Sequence, residues 1–377
     1  MAPSAPPDAT TGASAPLRIL YAVQGTGNGH VARARDLIPR LTAHPELDVT
    51  VWLSGTQSEV TLPVQPAEQF PGISLLYNRH GGLSYSRTLR RNPWLRFVRD
   101  VCRAPVHGFD LIINDFEPVS AWAARLRQAP LLEISHQAGV RHASAPRPPR
   151  RRTGMEALLR WYAPSREAIG LHFTPVADDV LPPVIRDEIR LMPQSPDGRL
   201  LVYLPAHGPD ALLQAFAEAP VPVIAFTQGT FAPRRRGAVE VQPIHTTHFL
   251  EAFAQASAVL CAAGFELPAE ALHHGKRLAV IPIRGQYEQA CNAAAAAQVG
   301  AWVAPSLSEF LPLLPAWLAS EPPAPAAYPP VSDWLVTRIL DAARAARAKA
   351  AGRHPRAVAP PHADPPHADP PHADPPH

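Results

Sequence analysis

The chain is expected to fold as an α/β protein of two doubly wound domains, each a mostly parallel sheet with helices on both faces. Three observations predict this. Short apolar runs alternate with helix-length segments, and the alternation starts twice, at Leu17 and again at Leu200. The first run ends on a glycine-rich turn that leads into a helix, as at the first strand of a parallel sheet. A length of 377 residues with 46% hydrophobic content suits two domains of ordinary size.

In the first series, residues 17–23 (LRILYAV) read as a buried strand and 31–43 as a helix. Further strands are predicted at 49–53, 74–77, 111–113 and 131–135, with a helix at 121–127 between the last two. The second series gives strands at 200–204, 223–226, 239–241, 258–261 and 278–282. Its helices are predicted at 211–218, 247–255, 267–274 and 289–298, with Thr247 a candidate cap. A late helix at 331–350 has Ser332 as N-cap candidate and Val331, Trp334, Leu335 and Ile339 as its apolar side. The boundaries that follow are a disordered arm 1–16, an N-terminal domain 17–180, a Pro-rich hinge 181–198, a C-terminal domain 199–320, the late helix, and a tail 355–377. The tail repeats HADPP and reads as extended and disordered, with only weak metal affinity on offer from its His and Asp.

Composition excludes several classes. A net charge of +3 is too small to imply nucleic acid, and no recognition motif accompanies the basic clusters. Three cysteines, few and odd in number, fit a reducing compartment without structural disulfides. The first 16 residues lack a basic start and apolar core, and no apolar run approaches the ~20 residues of a membrane span. The expected location is cytoplasmic. The 47 prolines collect in the arm, at 143–150 and after 312.

Two constellations carry chemistry. The turn Gly25, Thr26, Gly27, Asn28, Gly29, His30 follows a strand and precedes a helix, so its N–H groups can face an anion. It is neither the dinucleotide fingerprint nor a phosphate-binding Walker loop, because the glycine spacing and the Gly-Lys-Ser/Thr ending are absent. His30 then lies at the carboxyl edge of the sheet, as a general base, a substrate ligand or a structural residue. Asp115 ends a strand, either to orient a histidine or to serve the turn. His136 and Gln137 also follow a strand and are expected to face the crevice, toward an acceptor. The second constellation, 262–292, sets Gly264, Glu270, Gly275 and the run Gln286, Glu288, Gln289, Asn292 around a strand. Such an order suits a phosphorylated sugar nucleotide: glycine for phosphate, Glu270 for a ribose diol, Glu288 and Gln289 for sugar hydroxyls.

The pairing of GTGNGHVARA with AGFELPAEALHHGK and IPIRGQYEQACNA resembles GT-B glycosyltransferases, closest to the MurG-like branch and its uncharacterised relatives. The resemblance covers about residues 17–320 and the late helix. It implies two Rossmann-like domains facing across a cleft, with the last helix crossing back onto the N-terminal domain. By position, Gly264 and Phe265 would belong to the donor phosphate loop, and Glu270 would bind the nucleotide ribose. Gln286, Glu288 and Gln289 would contact donor sugar and pyrophosphate, with Asn292 in support. Ile244 would read the nucleobase, and His30 and Asp115 would form the base and its assistant. Gly25, Gly27, Asn28, Gly29 and His136 would line the phosphate or acceptor loop. Two departures stand out: the loop lacks the second adjacent glycine and the proline of MurG proteins, and Phe265, Glu266, Leu267 replace small or hydroxyl residues.

The implied activity is hexosyl transfer from a nucleotide sugar to a hydroxyl acceptor, lipid-linked or part of a cell-envelope glycan, with inversion. No DxD pair is present, so no metal and no cofactor beyond the nucleotide-sugar co-substrate are expected. A sugar-nucleotide epimerase and a non-catalytic nucleotide-sugar binder are the alternatives. Arg79, Arg87, Arg90, Arg91, Arg96, Arg99 and Arg103 interleave with Leu89, Trp94, Leu95, Phe97 and Val98, and Arg147 and Arg150–Arg152 add a second basic cluster. These suit a lipid-linked phosphate or an anionic inner membrane face, or simply a solvated surface.

Overall fold

The computed structural model describes residues 15–55, 60–74, 84–149 and 153–352. Most of the expected arm, residues 75–77 of the expected strand 74–77, Arg79, Arg150–Arg152 and the HADPP tail lie outside them. Among the described residues are two seven-stranded sheets. The first contains β1 (Leu17–Gln24), β2 (Leu47–Ser54), β3 (Glu68–Phe70), β4 (Leu111–Asp115), β5 (Leu131–Ser135), β6 (Glu167–Leu171) and β7 (Val180–Leu181) in the order 3-2-1-4-5-6-7. The second contains β8 (Arg199–Tyr203), β9 (Val223–Thr227), β10 (Arg234–Arg236), β11 (Val239–Pro243), β12 (Ala256–Ala262), β13 (Arg277–Ile281) and β14 (Trp302–Val303) in the order 10-11-9-8-12-13-14. Only the β10–β11 pairing is antiparallel.

Both sheets are wound alike. In each, the first strand sits centrally, with the chain moving to one side and then crossing to the other. β1 lies between β2 and β4, and β8 between β9 and β12. Ligands of such sheets gather at the carboxyl ends where the winding reverses. Here the two reversal points face each other.

The helices that matter below are α1 (Asn28–Thr42), α2 (Trp94–Arg103), α3 (Pro118–Arg127), α4 (His136–Arg141), α5 (Thr153–Tyr162), α6 (Thr246–Gln255), α7 (Glu266–His273), α8 (Tyr287–Gln298) and α9 (Ser332–Ala351). α9 returns to the first half and packs along α1, β1 and β4. Its buried stripe is Ser332, Leu335, Val336, Ile339, Leu340 and Ala343, a three-four spacing on one face. Trp334 falls outside that stripe; it is 44% exposed and lies under the Arg338 guanidinium. Ser332 is not the N-cap. Its hydroxyl donates to Asp36 Oδ2 at 2.5 Å, tying the helix start to α1. Thr247 likewise lies inside the first turn of α6, whose N-cap position is His245.

The stretch 181–198, the expected Pro-rich hinge, is largely packed. Val184, Ile185 and Ile189 are buried in a core cluster that runs through both halves without a break. The apolar spacing of these three residues outweighs the prolines around them. Ser195 and Asp197 donate backbone N–H groups to Ala254 and Gln255 of the second half.

Candidate active site

A cavity of about 660 Å³ lies between the carboxyl ends of the two sheets. The turn after β1 and the end of β4 form one wall. The ends of β8 and β12 and the starts of α7 and α8 form the other.

His30 occupies the first turn of α1, where the glycine-rich turn delivers it to the sheet edge. Its Nδ1 lies 2.7 Å from Asp115 Oδ1. A carboxylate at Nδ1 requires the proton there, which leaves the Nε2 lone pair on the cavity side. Gln137 Nε2 stands 3.4 Å from that nitrogen and donates to Glu288 Oε1 at 3.0 Å. Asp115 is fully buried and ends β4. Burial pushes its carboxyl up, but Arg33 and His30 outweigh that and hold it below the usual range.

Arg33 is one turn beyond His30 on the same face of α1, by the i, i+3 relation. It is 1% exposed, and it donates to Asp115 through Nε (3.1 Å) and Nη2 (2.5 Å) while Nη1 pairs with Glu266 of the other half.

The turn after β4 is tightly determined. Asn114 Nδ2 donates to the Glu117 carbonyl (2.7 Å), and the Glu117 carboxylate caps α3 at the Val119 and Ser120 N–H groups. Between them Phe116 is held at φ 55°, a left-handed conformation unusual for an aromatic residue. The strained turn delivers the Phe116 ring to the cavity, stacked on Tyr162 with centroids 4.8 Å apart. Met155, Leu158, Leu159 and Tyr162 of α5 continue this apolar wall.

The glycines of the two loops differ in purpose. A Cβ at Gly25 would come within 2.9 Å of the Leu53 side chain and 3.2 Å of the Ser54 and Gly55 carbonyl oxygens, so the turn after β1 runs tight against the end of β2. At Gly29 it would sit 3.3 Å from Glu266 Cγ. At Gly27 and Gly264 it would meet nothing within 4 Å, and both positions border the cavity. Asn28 reaches across to Tyr203 Oη at 3.1 Å.

On the opposite wall, Ile244, Tyr203, Phe249 and Leu250 form an apolar slot beside Gly264. Glu270 is 2% exposed and accepts from Arg186 Nε at 2.7 Å. Glu288 borders the cavity, and burial raises its carboxyl. Gln289 Oε1 accepts from the Ile283 N–H at 2.8 Å, fixing the loop after β13. The amide oxygens of Gln24, Gln137 and Gln286 are buried, border the cavity and find no hydrogen-bond partner among the described residues.

His136 directly follows β5. It stands at the cavity wall, but its ring nitrogens lie 2.9 Å from Leu171 O and 2.7 Å from Asn292 Oδ1. Its ring stacks on Phe265 at 3.7 Å, and burial pushes its pKa down to about 3. It joins the halves from the cavity wall. Asn292 is not on the cavity wall; it holds His136 and the Ala263 carbonyl. Phe265 is turned onto His136 and Phe173, so the ring lies against the wall.

Arg33, Gln24, Arg186 and the α5 wall were not singled out from sequence, and Glu266 only as a departure from the family pattern. Arg33 carried a signal, its three-residue spacing from His30. Arg186 carried none, because its partner Glu270 is 84 residues away.

Two doubly wound halves with a shared cleft and a returning terminal helix define the GT-B class of glycosyltransferases. The chain belongs to glycosyl transferase family 1, whose family model matches residues 17–311, and it is a glycosyltransferase. MurG of Acinetobacter baumannii has a similar structure (16% identity, TM-score 0.50, covering 86% of this chain and 100% of that one). So does LpCGTa, solved in complex with UDP (14%, 0.51, 88% and 95%). SnogD of Streptomyces nogalater overlaps less well (17%, 0.47, 86% and 99%). No curated protein matches the chain in sequence.

Proposed function

We propose that the enzyme transfers a sugar from a nucleotide-sugar donor in the second half to an acceptor hydroxyl in the first. His30 serves as base, the configuration inverts and no metal takes part. The observation that carries this reading is the His30–Asp115 pair, which turns Nε2 toward the cavity opposite Gly264 and Glu288. Nε2 takes the acceptor proton as the oxygen attacks the anomeric carbon. The bond to the donor phosphate breaks, and the nucleoside diphosphate leaves with its electrons. Asp115 stabilises the imidazolium. N–H groups at Gly264 and the start of α7 stabilise the departing charge.

Supporting the donor assignment are the slot beside Gly264, the Gln286 amide oxygen, which suits a sugar hydroxyl, and the UDP bound by LpCGTa. Ile244 would border the base, and Glu270 would take the ribose once released from Arg186. Phe116, Met155, Leu158 and Leu159 favour an acceptor with an apolar body, such as a lipid-linked one.

His30→Ala is expected to lose about 10²–10⁴-fold in kcat/KM with the fold intact, the range for a general base. Full transfer activity would remove the assignment. Glu266 and Glu288 supply cleft carboxyls that an epimerase would need, so interconversion of the donor sugar without an acceptor would favour that second reading.

We further propose that the surface around α2 contacts an anionic membrane at the inner face. Leu89, Leu95 and Val98 are 66%, 90% and 56% exposed among arginines. Among the described residues no helix is long and apolar enough to cross a membrane. Liposome binding by the parent, lost on charge reversal at Arg90, Arg91 and Arg96, is the expected result; no binding by the parent removes the idea.

A further inference from the structure

Glu266 sits where the donor reading is electrostatically least comfortable. It is the first residue of α7, two positions after Gly264, and its side chain borders the cavity at 11% exposure. It is also held there. Arg33 Nη1 grips Oε1, and the α1 backbone at Gly29 packs against its Cγ.

The charged groups around it can be counted element by element. From α1 come Arg33 and His30, from β4 Asp115, from β1 the buried Tyr21 phenol, from α7 itself Glu270, and from the stretch before Asp187 comes Arg186. Arg33 makes two contacts to Asp115 and one to Glu266. Arg186 is taken by Glu270 (2.7 Å) and Glu188 (2.6 Å). Arg35 also reaches Glu188 at 3.5 Å. Glu266 therefore depends on a single guanidinium, Arg33, which it shares with Asp115. Burial already pushes it up to about 7 against the pull of Arg33. A donor diphosphate beside Gly264 adds further negative charge, and like charges at such range favour protonation of one partner.

We propose that Glu266 takes up one proton when the donor binds, and that its carboxyl then donates the O–H to a phosphate oxygen of the diphosphate. The proton comes from solvent and returns there on product release. The proposal rests on the nucleotide-sugar reading above. It makes Glu266 a donor-binding residue whose affinity for the diphosphate weakens as the solution becomes alkaline.

The test is calorimetric titration with UDP-, TDP-, GDP- and ADP-glucose in buffers of different ionisation heat. Nucleotide sugars are the right probes because both phosphates are esterified and do not titrate near neutrality. Above about pH 8 about one proton should be taken up per donor, and near pH ~5.5 almost none. Affinity should fall about tenfold per pH unit at the alkaline end. Glu266→Gln keeps the acceptor for Arg33; it should take up no proton, bind with flat pH dependence and exceed the parent at about pH 9. Binding by the parent without proton uptake overturns the proposal alone, whatever the variant does. Equal uptake in Glu266→Gln also overturns it. If no nucleotide sugar binds either protein at any pH, the donor reading fails and this proposal fails with it.

Discussion

Asp115 is asked to hold two partners at once, and each makes the other useful. Arg33 keeps it ionised, and its ionised form fixes the His30 tautomer. Asp115→Asn should therefore cost about a hundredfold or more in kcat/KM. Arg33→Ala should cost about 3 kcal/mol of stability, because Asp115 would remain as an uncompensated buried charge; the shift in denaturation midpoint reads it. Glu266 makes a separate stability prediction. Its folded pKa, about 7, lies above its unfolded value, so its contribution is full below the unfolded pKa and is lost as pH rises through 7. Glu266→Gln should thus raise Tm at about pH 8 and have little effect near about pH 4. His136 works in the other direction. Its pKa is depressed to about 3, so the stability it contributes is present above the unfolded value and declines as pH falls from about 6.5 toward 3. His30 was legible from the glycine-rich turn before it, and Asp115 from its strand end. His136 was equally legible as a wall residue, but a strand-end position says where a ring starts and not which way a stacking partner turns it. Phe265 was that partner, and only the second half of the chain supplies it.

The element most open to a quantitative check is α9. Leu335 and Ile339 are fully buried against the first half, whereas Trp334 is half-exposed. Leu335→Ala and Ile339→Ala should each destabilise by about 2–5 kcal/mol. Trp334→Ala should stay within about 0.5 kcal/mol of the parent. Chemical denaturation of the three variants distinguishes this stripe from the one that includes Trp334. The strands β1, β4, β5, β8, β9, β12 and β13 were readable as apolar runs because both of their faces are covered, and β11 by the alternation of Val239 and Val241. The short edges β3 and β7, and β6 beside β7, were not: β3 reads Glu-Gln-Phe and is mostly exposed, and β6 opens on an exposed Glu167. The helix α5 escaped for a related reason. None of its residues is buried, so its apolar side marks a cavity wall rather than a core.

At the scale of the molecule, the two halves share one core cluster and several bonds across the cleft, among them Arg33–Glu266, His136–Asn292 and Arg186–Glu270. The chain also passes between the halves twice, near Val184 and again before Ser332. Calorimetry should accordingly show a single unfolding transition; two resolved transitions would contradict the shared core. A bound nucleotide sugar at about 100 times its Kd should stabilise that one transition by roughly 2.7 kcal/mol.

Arg347 near the end of α9 donates to the carbonyls of Ala15 and Pro16, just before β1 begins. The two ends of the described chain thus emerge side by side from the amino edge of the first sheet, while the cavity opens at the carboxyl edge. An anchor attached at either end presents the catalytic mouth away from whatever holds it. Enzyme fixed to a solid support through residue 352 should turn over substrate as it does in free solution.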